Sequence, residues 1–366
     1  MKKALVISIF FITLSSIGQN TNSIFALLED EKYPKNDVFI GASLNHFQLN
    51  GPIKNIFLSE FRYLTPANAF KQTRIHPKPN VWKWDKCNDF LEFANKHKLT
   101  LRIHGPISPQ ASKWAKDDTR TKEELKSVME DYFTALCKKI NKENTVRWMD
   151  VVNETVLRDG RWFKEKPGIS NWENPWTQIG LTAEEIPIYI LRAFEIATQH
   201  APNVKLVYNQ NGGMEKIMWD KVISTIQLLK SKGLRVDAIG WQAHLRHNKF
   251  SDDDLNQLSS LIDCAHENNM EFHITELNLW VKEENFDKKE VKNWQADTYS
   301  KIYELALSKK QNGPVVINHW GLLDRKGNNQ LNKNIVSLYD NQFNPNLALD
   351  QLRNCLLYTS DAADDC

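Results

Sequence analysis

The sequence predicts an α/β fold, a (β/α)8 TIM barrel that forms a single domain. Three observations predict this fold. Strand-like and helix-like segments alternate eight times, no linker or repeat divides the 366 residues, and no Gly-x-Gly-x-x-Gly motif follows the first strand. Alternation of this kind produces a parallel sheet, and eight units favour a closed barrel over an open dinucleotide-binding sheet.

The strand-like segments are short and rich in aliphatic and aromatic residues. In chain order they are Val38–Ser43, Glu60–Leu64, Thr100–His104, Arg147–Val152, Lys205–Tyr208, Ala238–Gln242, Glu271–Thr275 and Pro314–His319.

The segments between the strands have helical periodicity. From Thr121 to Lys142, apolar residues recur every three or four positions, which predicts an amphipathic helix. Thr121 and Glu124 have the spacing of a capping box at its start. Thr182 and Glu185 repeat that spacing and predict the start of another helix.

Gly233 stands where a helix ending near Lys232 needs a positive φ angle.

The C-terminal end of the predicted domain is less regular. Ala348–Asn354 is predicted to be the last barrel helix, so the domain is expected to span residues 35–354. Residues 356–366 lack a continuing apolar period and are expected to be a non-native tail.

The N-terminus has the features of a secretory signal peptide, expected to span residues 1–20. Lys2 and Lys3 precede the apolar stretch Ala4–Ile17, which is too short to cross a bilayer comfortably. The alternative is a buried N-terminal strand or helix. We therefore expect a secreted or periplasmic protein without stable membrane association.

Composition narrows the ligand class. The net charge is +2, and no basic stripe indicates a nucleic-acid partner. The 12 Trp residues favour a carbohydrate ligand, because aromatic faces pack against sugar rings, although most Trp residues belong to cores. We expect a monomer that needs no cofactor or metal. The cysteines show no metal-site or redox spacing and are expected to be unpaired, buried apolar residues: Cys87, Cys137, Cys264, Cys355 and Cys366.

Polar and aromatic residues follow seven of the eight predicted strands. The active site of this fold lies at the carboxyl ends of the strands, so these side chains are expected to share one rim, which is more than packing requires. They are Asn68, Lys71, His104, Asn153, Glu154, Asn209, Gln242, His244, Glu276 and Trp320.

Two of these residues, Glu154 and Glu276, are carboxylates on opposite sides of the rim. Glycosidic hydrolysis uses such a pair, with one acid protonating the leaving oxygen and the other attacking the sugar or activating water. Spacing in sequence leaves retention and inversion open, because the distance between the carboxylates decides between them. No Gly-x-Ser-x-Gly or His-Glu-x-x-His motif indicates another hydrolytic chemistry.

Five motifs resemble glycoside hydrolase family 10, the endo-β-1,4-xylanase family, from about Val38 to Leu349. They are Trp148–Glu154, similar to W-D-V-V-N-E; Phe272–Leu277, similar to I-T-E-L; Gly240–Leu245, similar to G-x-Q-x-H; Leu64–Lys71, similar to L-T-x-E-N-x-x-K; and His319–Asp324, similar to W-G-x-x-D.

The resemblance implies a role for each rim residue. Glu154 would be the acid/base and Glu276 the nucleophile, oriented by His244. The remaining residues would bind or support the sugar: Asn153 at the 2-hydroxyl, Asn68, Lys71 and His104 on the non-reducing side, Trp320 as a stacking floor, and Gln242 and Asn209 as supporting polar groups.

The chain is a divergent member by this resemblance. Ala67 replaces a Glu, Gly105–Pro109 replaces a Trp-His, Gln210-Asn211 replaces Asp-Tyr, and Arg325–Asn328 lacks a second Trp. We expect these changes to alter sugar recognition. The expected function is a secreted, retaining, endo-acting hydrolase of β-1,4-xylan or a xylan-like polymer. The alternatives are another β-linked polysaccharide, transglycosylation, or a non-catalytic carbohydrate-binding protein.

The segment Arg158–Gly180 is long for a loop between a strand and a helix. It holds Trp162, Phe163, Trp172 and Trp176. These aromatic residues either form a platform for the leaving-group side of the substrate or anchor the loop on the barrel.

Overall fold

The computed structural model describes residues 22–31, 33, 37–78, 80–110, 120–163, 174–327 and 334–358. The predicted signal peptide, Trp172 and Cys366 lie outside these residues. The strands are β1 (Val38–Leu44), β2 (Tyr63–Pro66), β3 (Thr100–Ile103), β4 (Val146–Asn153), β5 (Lys205–Gln210), β6 (Ala238–Trp241), β7 (His244–Arg246), β8 (Glu271–Val281), β9 (Val315–His319) and β10 (Asn334–Val336).

Eight of these strands form a closed parallel barrel. Each pairs in parallel with the next in the order β1, β2, β3, β4, β5, β6, β8 and β9, and β9 returns to β1 with Val315 opposite Val38. The predicted (β/α)8 barrel is therefore confirmed. β7 and β10 flank the part of β8 that extends beyond the barrel.

Helices surround the barrel and connect its strands. They are α1 (Ile24–Leu28), α2 (Pro52–Glu60), α3 (Gln72–Ile75), α4 (Asp85–His97), α5 (Lys122–Ile140), α6 (Ile188–His200), α7 (Lys216–Ser231), α8 (Asp252–Glu267), α9 (Lys289–Ser308) and α10 (Leu347–Tyr358). None of the helices in the described part of the chain combines the length and the hydropathy that a membrane-spanning segment needs.

The second predicted strand was placed too early. Glu60 is the last residue of α2, and the strand begins at Tyr63. The Glu60 carboxylate accepts hydrogen bonds from the Ile24 amide (3.1 Å), the Tyr339 hydroxyl (3.1 Å) and the Arg353 guanidinium (2.6 Å). Glu60 therefore joins α2 to the first and last helices instead of pairing in the sheet.

One predicted capping box is confirmed and the other is wrong. Thr121 and Glu124 cap α5 reciprocally. Thr182 and Glu185 instead form a turn, and α6 begins at Ile188. The physical reason is Pro187, since the residue before a proline is driven away from helical geometry.

The other local expectations agree with the structure in most places. Gly233 has a φ of 76° after the end of α7. The four described cysteines are unpaired, and Cys264 is only partly buried. The last helix continues to Tyr358, and Leu356 is fully buried, with its carbonyl accepting a 2.8 Å hydrogen bond from Tyr33. Leu356–Tyr358 thus belong to the folded domain.

A polar network fills the barrel beneath its rim. Arg102 and Asp150 form a fully buried ion pair, and Arg102 also contacts Nδ1 of His273 at 2.8 Å. The second oxygen of Asp150 lies 3.0 Å from Nδ1 of His104. These buried contacts fix the side-chain positions, because charged and hydrogen-bonded groups interact strongly in a medium of low dielectric constant. Asp150 therefore connects the interior of the barrel to the rim.

Candidate active site

A cleft of about 520 Å³ opens at the carboxyl ends of the barrel strands, a size typical of ligand sites. Most of the rim residues named from the sequence line it: Asn68, Lys71, His104, Glu154, Gln242, His244, Glu276 and Trp320. Asn153 and Asn209 are almost fully buried directly behind this surface. The structure therefore brings the whole predicted set together, with these two as a supporting layer.

Glu276 lies at the floor of the cleft, on β8. Its Oε1 accepts a hydrogen bond from Nδ2 of Asn209 (3.2 Å), and its Oε2 lies 3.4 Å from Nε2 of His244. Burial raises the pKa of this carboxyl, but the charges of His104, His244 and Lys71, together with the hydrogen bond from His244, outweigh that effect and lower the pKa to about 2. Glu276 is therefore ionised at neutral pH.

His244, on β7, is held on three sides. Its Nδ1 lies 2.9 Å from Oδ1 of Asn278, and its ring stacks on Trp280 with centroids 4.8 Å apart. Its Nε2 faces Glu276. Asn278 lies directly opposite His244 in the pairing of β7 with β8, so the sheet register fixes the imidazole beside the carboxylate.

Glu154 follows β4 immediately and has a φ of 59°, an unusual value for a residue other than glycine. Its amide donates to the carbonyl of Asn209 (3.1 Å). The turn after it is fixed by Gln210, whose Oε1 accepts from the amides of Thr155 (3.1 Å) and Val156 (3.2 Å). These contacts direct the Glu154 carboxylate into the cleft.

A chain of side-chain amides connects the two carboxylates. Nε2 of Gln242 donates to Oε1 of Glu154 (3.0 Å) and to Oδ1 of Asn153 (3.0 Å). The same Asn153 oxygen accepts from Nδ2 of Asn209 (2.7 Å), which also donates to Glu276. The same chain of amides thus binds both carboxylates, so the pair is held in a fixed relationship.

The side of the cleft formed by β2 and β3 is more basic. Lys71 is buried, and its Nζ donates to Oε1 of Gln110 at 2.5 Å. His104 packs edge-on against Trp320, with centroids 4.7 Å apart. Asn68 donates to Oδ1 of Asn45 at 3.1 Å. Together these residues offer hydrogen-bond donors beside an aromatic face, a combination suited to a sugar ring.

Two residues named from the sequence, Asp324 and Gln210, support the structure around the cleft and do not line it. Asp324 is buried outside the cleft lining and accepts hydrogen bonds from the Ser337 amide (2.7 Å) and Asn346 (3.1 Å), while burial raises the pKa of its carboxyl. Gln210 also lies outside the lining and supports the Glu154 turn. The Gln210 change therefore bears on the backbone beside Glu154 and not directly on sugar contact.

The structure distinguishes the aromatic residues of the loop. Trp176 is fully buried, and its Nε1 donates to the Ser108 carbonyl at 3.2 Å, so it anchors the loop. Trp162 donates to the Glu185 carbonyl at 2.9 Å and likewise packs on the protein. Phe163, in contrast, lines the cleft.

Several cleft residues were missed from the sequence: Gln110, Arg246, Asn278, Trp280, Arg325 and Ile335. Asn278 and Trp280 are two and four residues after Glu276, and Arg246 is two after His244. The two-residue period of a strand would have found these three if β7 and the extension of β8 had been recognised. Within the described ranges, no group of three His, Cys, Asp or Glu side chains could hold a metal ion.

Comparison with known proteins identifies the family. A model of glycosyl hydrolase family 10 matches residues 30–355, which is most of the chain. This chain belongs to glycosyl hydrolase family 10. As a member of this family it is a glycoside hydrolase.

Relatives of this family 10 member carry xylanase names. The chain is 28% identical over 300 residues to endo-1,4-beta-xylanase A of Caldicellulosiruptor saccharolyticus, covering 78% of this chain and 82% of the relative. It is 27% identical over 307 residues to beta-1,4-xylanase of Dictyoglomus thermophilum, covering 78% and 77%.

Solved structures share the fold. Xylanase 10B from Thermotoga petrophila RKU-1, solved in complex with xylobiose, superposes with a TM-score of 0.76 at 24% identity, covering 92% of this chain and 97% of that one. A family 10 endoxylanase from a sugarcane soil metagenome gives 0.76 at 23% identity, covering 92% and 99%. At this level of identity the similarity establishes the barrel fold.

Proposed function

We propose that this family 10 hydrolase is a secreted, retaining endo-β-1,4-xylanase in which Glu276 is the nucleophile and Glu154 the acid/base. The observation that carries the proposal is the environment of Glu276. His104, His244 and Lys71 lower its pKa to about 2, so a buried carboxylate stays charged and faces the cleft that Glu154 shares. The names of the relatives support xylan as the substrate.

The reaction proceeds in two displacements. In the first, a Glu276 oxygen attacks the anomeric carbon while Glu154 donates its proton to the glycosidic oxygen, so that the leaving sugar departs and a glycosyl ester forms. In the second, Glu154 removes a proton from water, and the hydroxide displaces Glu276 with net retention. Gln242 and Asn153 both bind Oε1 of Glu154, which leaves its second oxygen for proton transfer. Both oxygens of Glu276 are contacted, Oε1 by Asn209 and Oε2 by His244, and each carboxylate oxygen keeps a second lone pair for attack.

The surrounding residues support binding rather than bond cleavage. Lys71, His104 and Asn68 would bind sugar hydroxyls on the non-reducing side, with Trp320 as the stacking surface. Asn153 is buried behind the cleft and donates a hydrogen bond to Glu154 (3.2 Å). For Asn153 to bind the 2-hydroxyl of the sugar at the cleavage site, that sugar has to enter the space between Glu154 and Glu276. Secretion by residues 1–20 and a monomeric state are part of the same proposal.

The test is product sizing on a panel of β-linked polysaccharides. The wild-type protein should release short oligosaccharides from xylan, with the β anomer formed first. Glu154→Ala and Glu276→Ala should each lower turnover at least 1,000-fold, a typical scale for such residues (about 10³ or more). Substantial hydrolysis by the Glu276 variant would refute the nucleophile role. Preference for another polymer, predominant glycosyl transfer, or binding without cleavage would each refute the proposed activity.

A further inference from the structure

Four side chains form one row across the sheet beyond the barrel rim. Arg246 on β7 is directly opposite Trp280 on β8, Trp280 is opposite Ile335 on β10, and Ile335 pairs with Arg325. Directly opposed residues in a sheet project their side chains to the same face. All four line the cleft, and the Arg246 guanidinium lies over the Trp280 ring, 6.0 Å from its centroid.

The row lies beside the reacting centre. His244 and Asn278 form the preceding row of the same face, two residues back along β7 and β8. Two residues of a strand span about 7 Å, so a sugar bound by this row lies next to the sugar held at Glu276. Arg246 and Arg325 are three strand spacings apart, about 14 Å between backbones, which leaves room for a pyranose ring with a substituent on either edge.

The two arginines carry charge that the described residues leave uncompensated. Both side chains are exposed, and neither forms an ion pair with an acid in the parts of the chain that the structure describes. Neighbouring cations differ in this respect. Arg158, which also lines the cleft, lies 3.0 Å from Glu215, and Lys326 lies 3.3 Å from Asp287.

We propose that this row binds a carboxylate-bearing sugar, so that the preferred substrate is a xylan with uronic acid substituents. The proposal rests on the xylanase function proposed above and narrows its substrate class. The Trp280 ring already contacts His244 and Arg246, so the sugar ring packs against its edge and against Ile335. The sugar carboxylate accepts paired hydrogen bonds from the planar guanidinium of Arg246 or Arg325, the geometry in which arginine binds carboxylates best.

The test compares one polymer in two chemical forms: a β-1,4-xylan substituted with uronic acids, and the same xylan after reduction of its carboxyl groups to alcohols. The wild-type kcat/KM should be about tenfold higher on the acidic form, because one charge-assisted hydrogen bond at an accessible site changes an affinity by about that factor. Arg246→Gln/Arg325→Gln should reduce that ratio to near one. Added salt should reduce the wild-type ratio in the same direction.

Lys86→Gln/Lys142→Gln is the matched control, because it removes two exposed positive charges away from the cleft. This control should keep the wild-type ratio. A wild-type ratio near one, or an unchanged ratio in the double arginine variant, overturns the inference while the xylanase proposal stands. If neither polymer is cut, the xylanase proposal fails, and calorimetric titration of both polymers into the folded protein then decides whether the acidic form is preferred.

Discussion

Nε2 of His244 lies 3.4 Å from Oε2 of Glu276, and this hydrogen bond is one of the effects that hold the pKa of Glu276 at about 2 against its burial. A lowered pKa keeps Glu276, the proposed nucleophile, charged in acid, so we expect the acid limb of the activity profile to depend on this contact.

Replacement of His244 by Ala should raise the pKa of Glu276 and move the acid limb of kcat/KM to higher pH by about one unit. The variant loses one hydrogen bond to a charged carboxylate, and about 1.4 kcal/mol of lost interaction corresponds to one pKa unit. The measurement is kcat/KM on an aryl β-xyloside from pH 2 to pH 8, so that the range reaches the expected wild-type acid limb. His247→Ala is the control, because that ring packs edge-on against Trp294 (centroids 5.4 Å apart) and lies outside the cleft lining. An unmoved acid limb in the His244 variant would contradict the role.

Asn209 tests the amide chain between the carboxylates. Its Nδ2 donates to both Asn153 and Glu276, and its Oδ1 accepts from Thr275 (2.7 Å). Asn209→Ala should lower kcat/KM by about tenfold or more, because a hydrogen bond to a charged group contributes about 1.5–3 kcal/mol.

Asn209→Asp is the sharper variant, because it has nearly the same shape but places a second carboxylate against Glu276. Like charges raise the pKa of a carboxyl, so the acid limb should move further toward neutral pH than with Asn209→Ala. Equal acid limbs in the Asp and Ala variants would show that the contact is only steric.

Acid stability should depend on His319, which is fully buried with Nε2 3.3 Å from the hydroxyl of Tyr303. Burial lowers its pKa to about 3, whereas an unfolded histidine titrates near 6.5. As the pH falls below about 6.5, the unfolded chain binds a proton that the folded protein rejects, so stability declines until about pH 3.

The expected slope is about 1.4 kcal/mol per pH unit from this residue between pH 6 and pH 4. Urea unfolding at several pH values measures it. His319→Gln, which does not titrate, should unfold at lower urea near neutral pH but show a shallower decline in acid. Parallel declines for the two proteins would assign the acid sensitivity to other groups.

The barrel and most of the rim were predictable because their signals are local. Apolar strands alternate with periodic helices, and a polar residue at the carboxyl end of a barrel strand lies in the cleft or close behind it. Glu154, Glu276 and His244 were found in this way. The strand containing Glu276 was expected to end at Thr275, however, and it continues to Val281.

The extension of β8 could not be predicted because its partners are distant in sequence. Val281 pairs with Asn334, more than fifty residues away, and Arg246 reaches the same sheet from β7. Cross-strand pairing, rather than local propensity, stabilises short edge strands of this kind. The row of Arg246, Trp280 and Arg325 therefore became visible only in the structure, as did the turn at Thr182, which Pro187 determines.

Trp176 and Phe163 separate anchoring from substrate contact within one loop. Trp176 is fully buried and hydrogen-bonded to Ser108, so Trp176→Ala should lower the free energy of unfolding by about 3–5 kcal/mol, the usual cost of removing a buried Trp.

Phe163 lines the cleft. Phe163→Ala should therefore raise KM for long xylooligosaccharides severalfold and leave the melting temperature within a few degrees. Thermal melts and kinetics on oligosaccharides of increasing length measure both effects. A Trp176 variant with wild-type stability but weakened affinity for long substrates would restore that side chain to the platform, because it would place the ring in contact with sugar despite its burial.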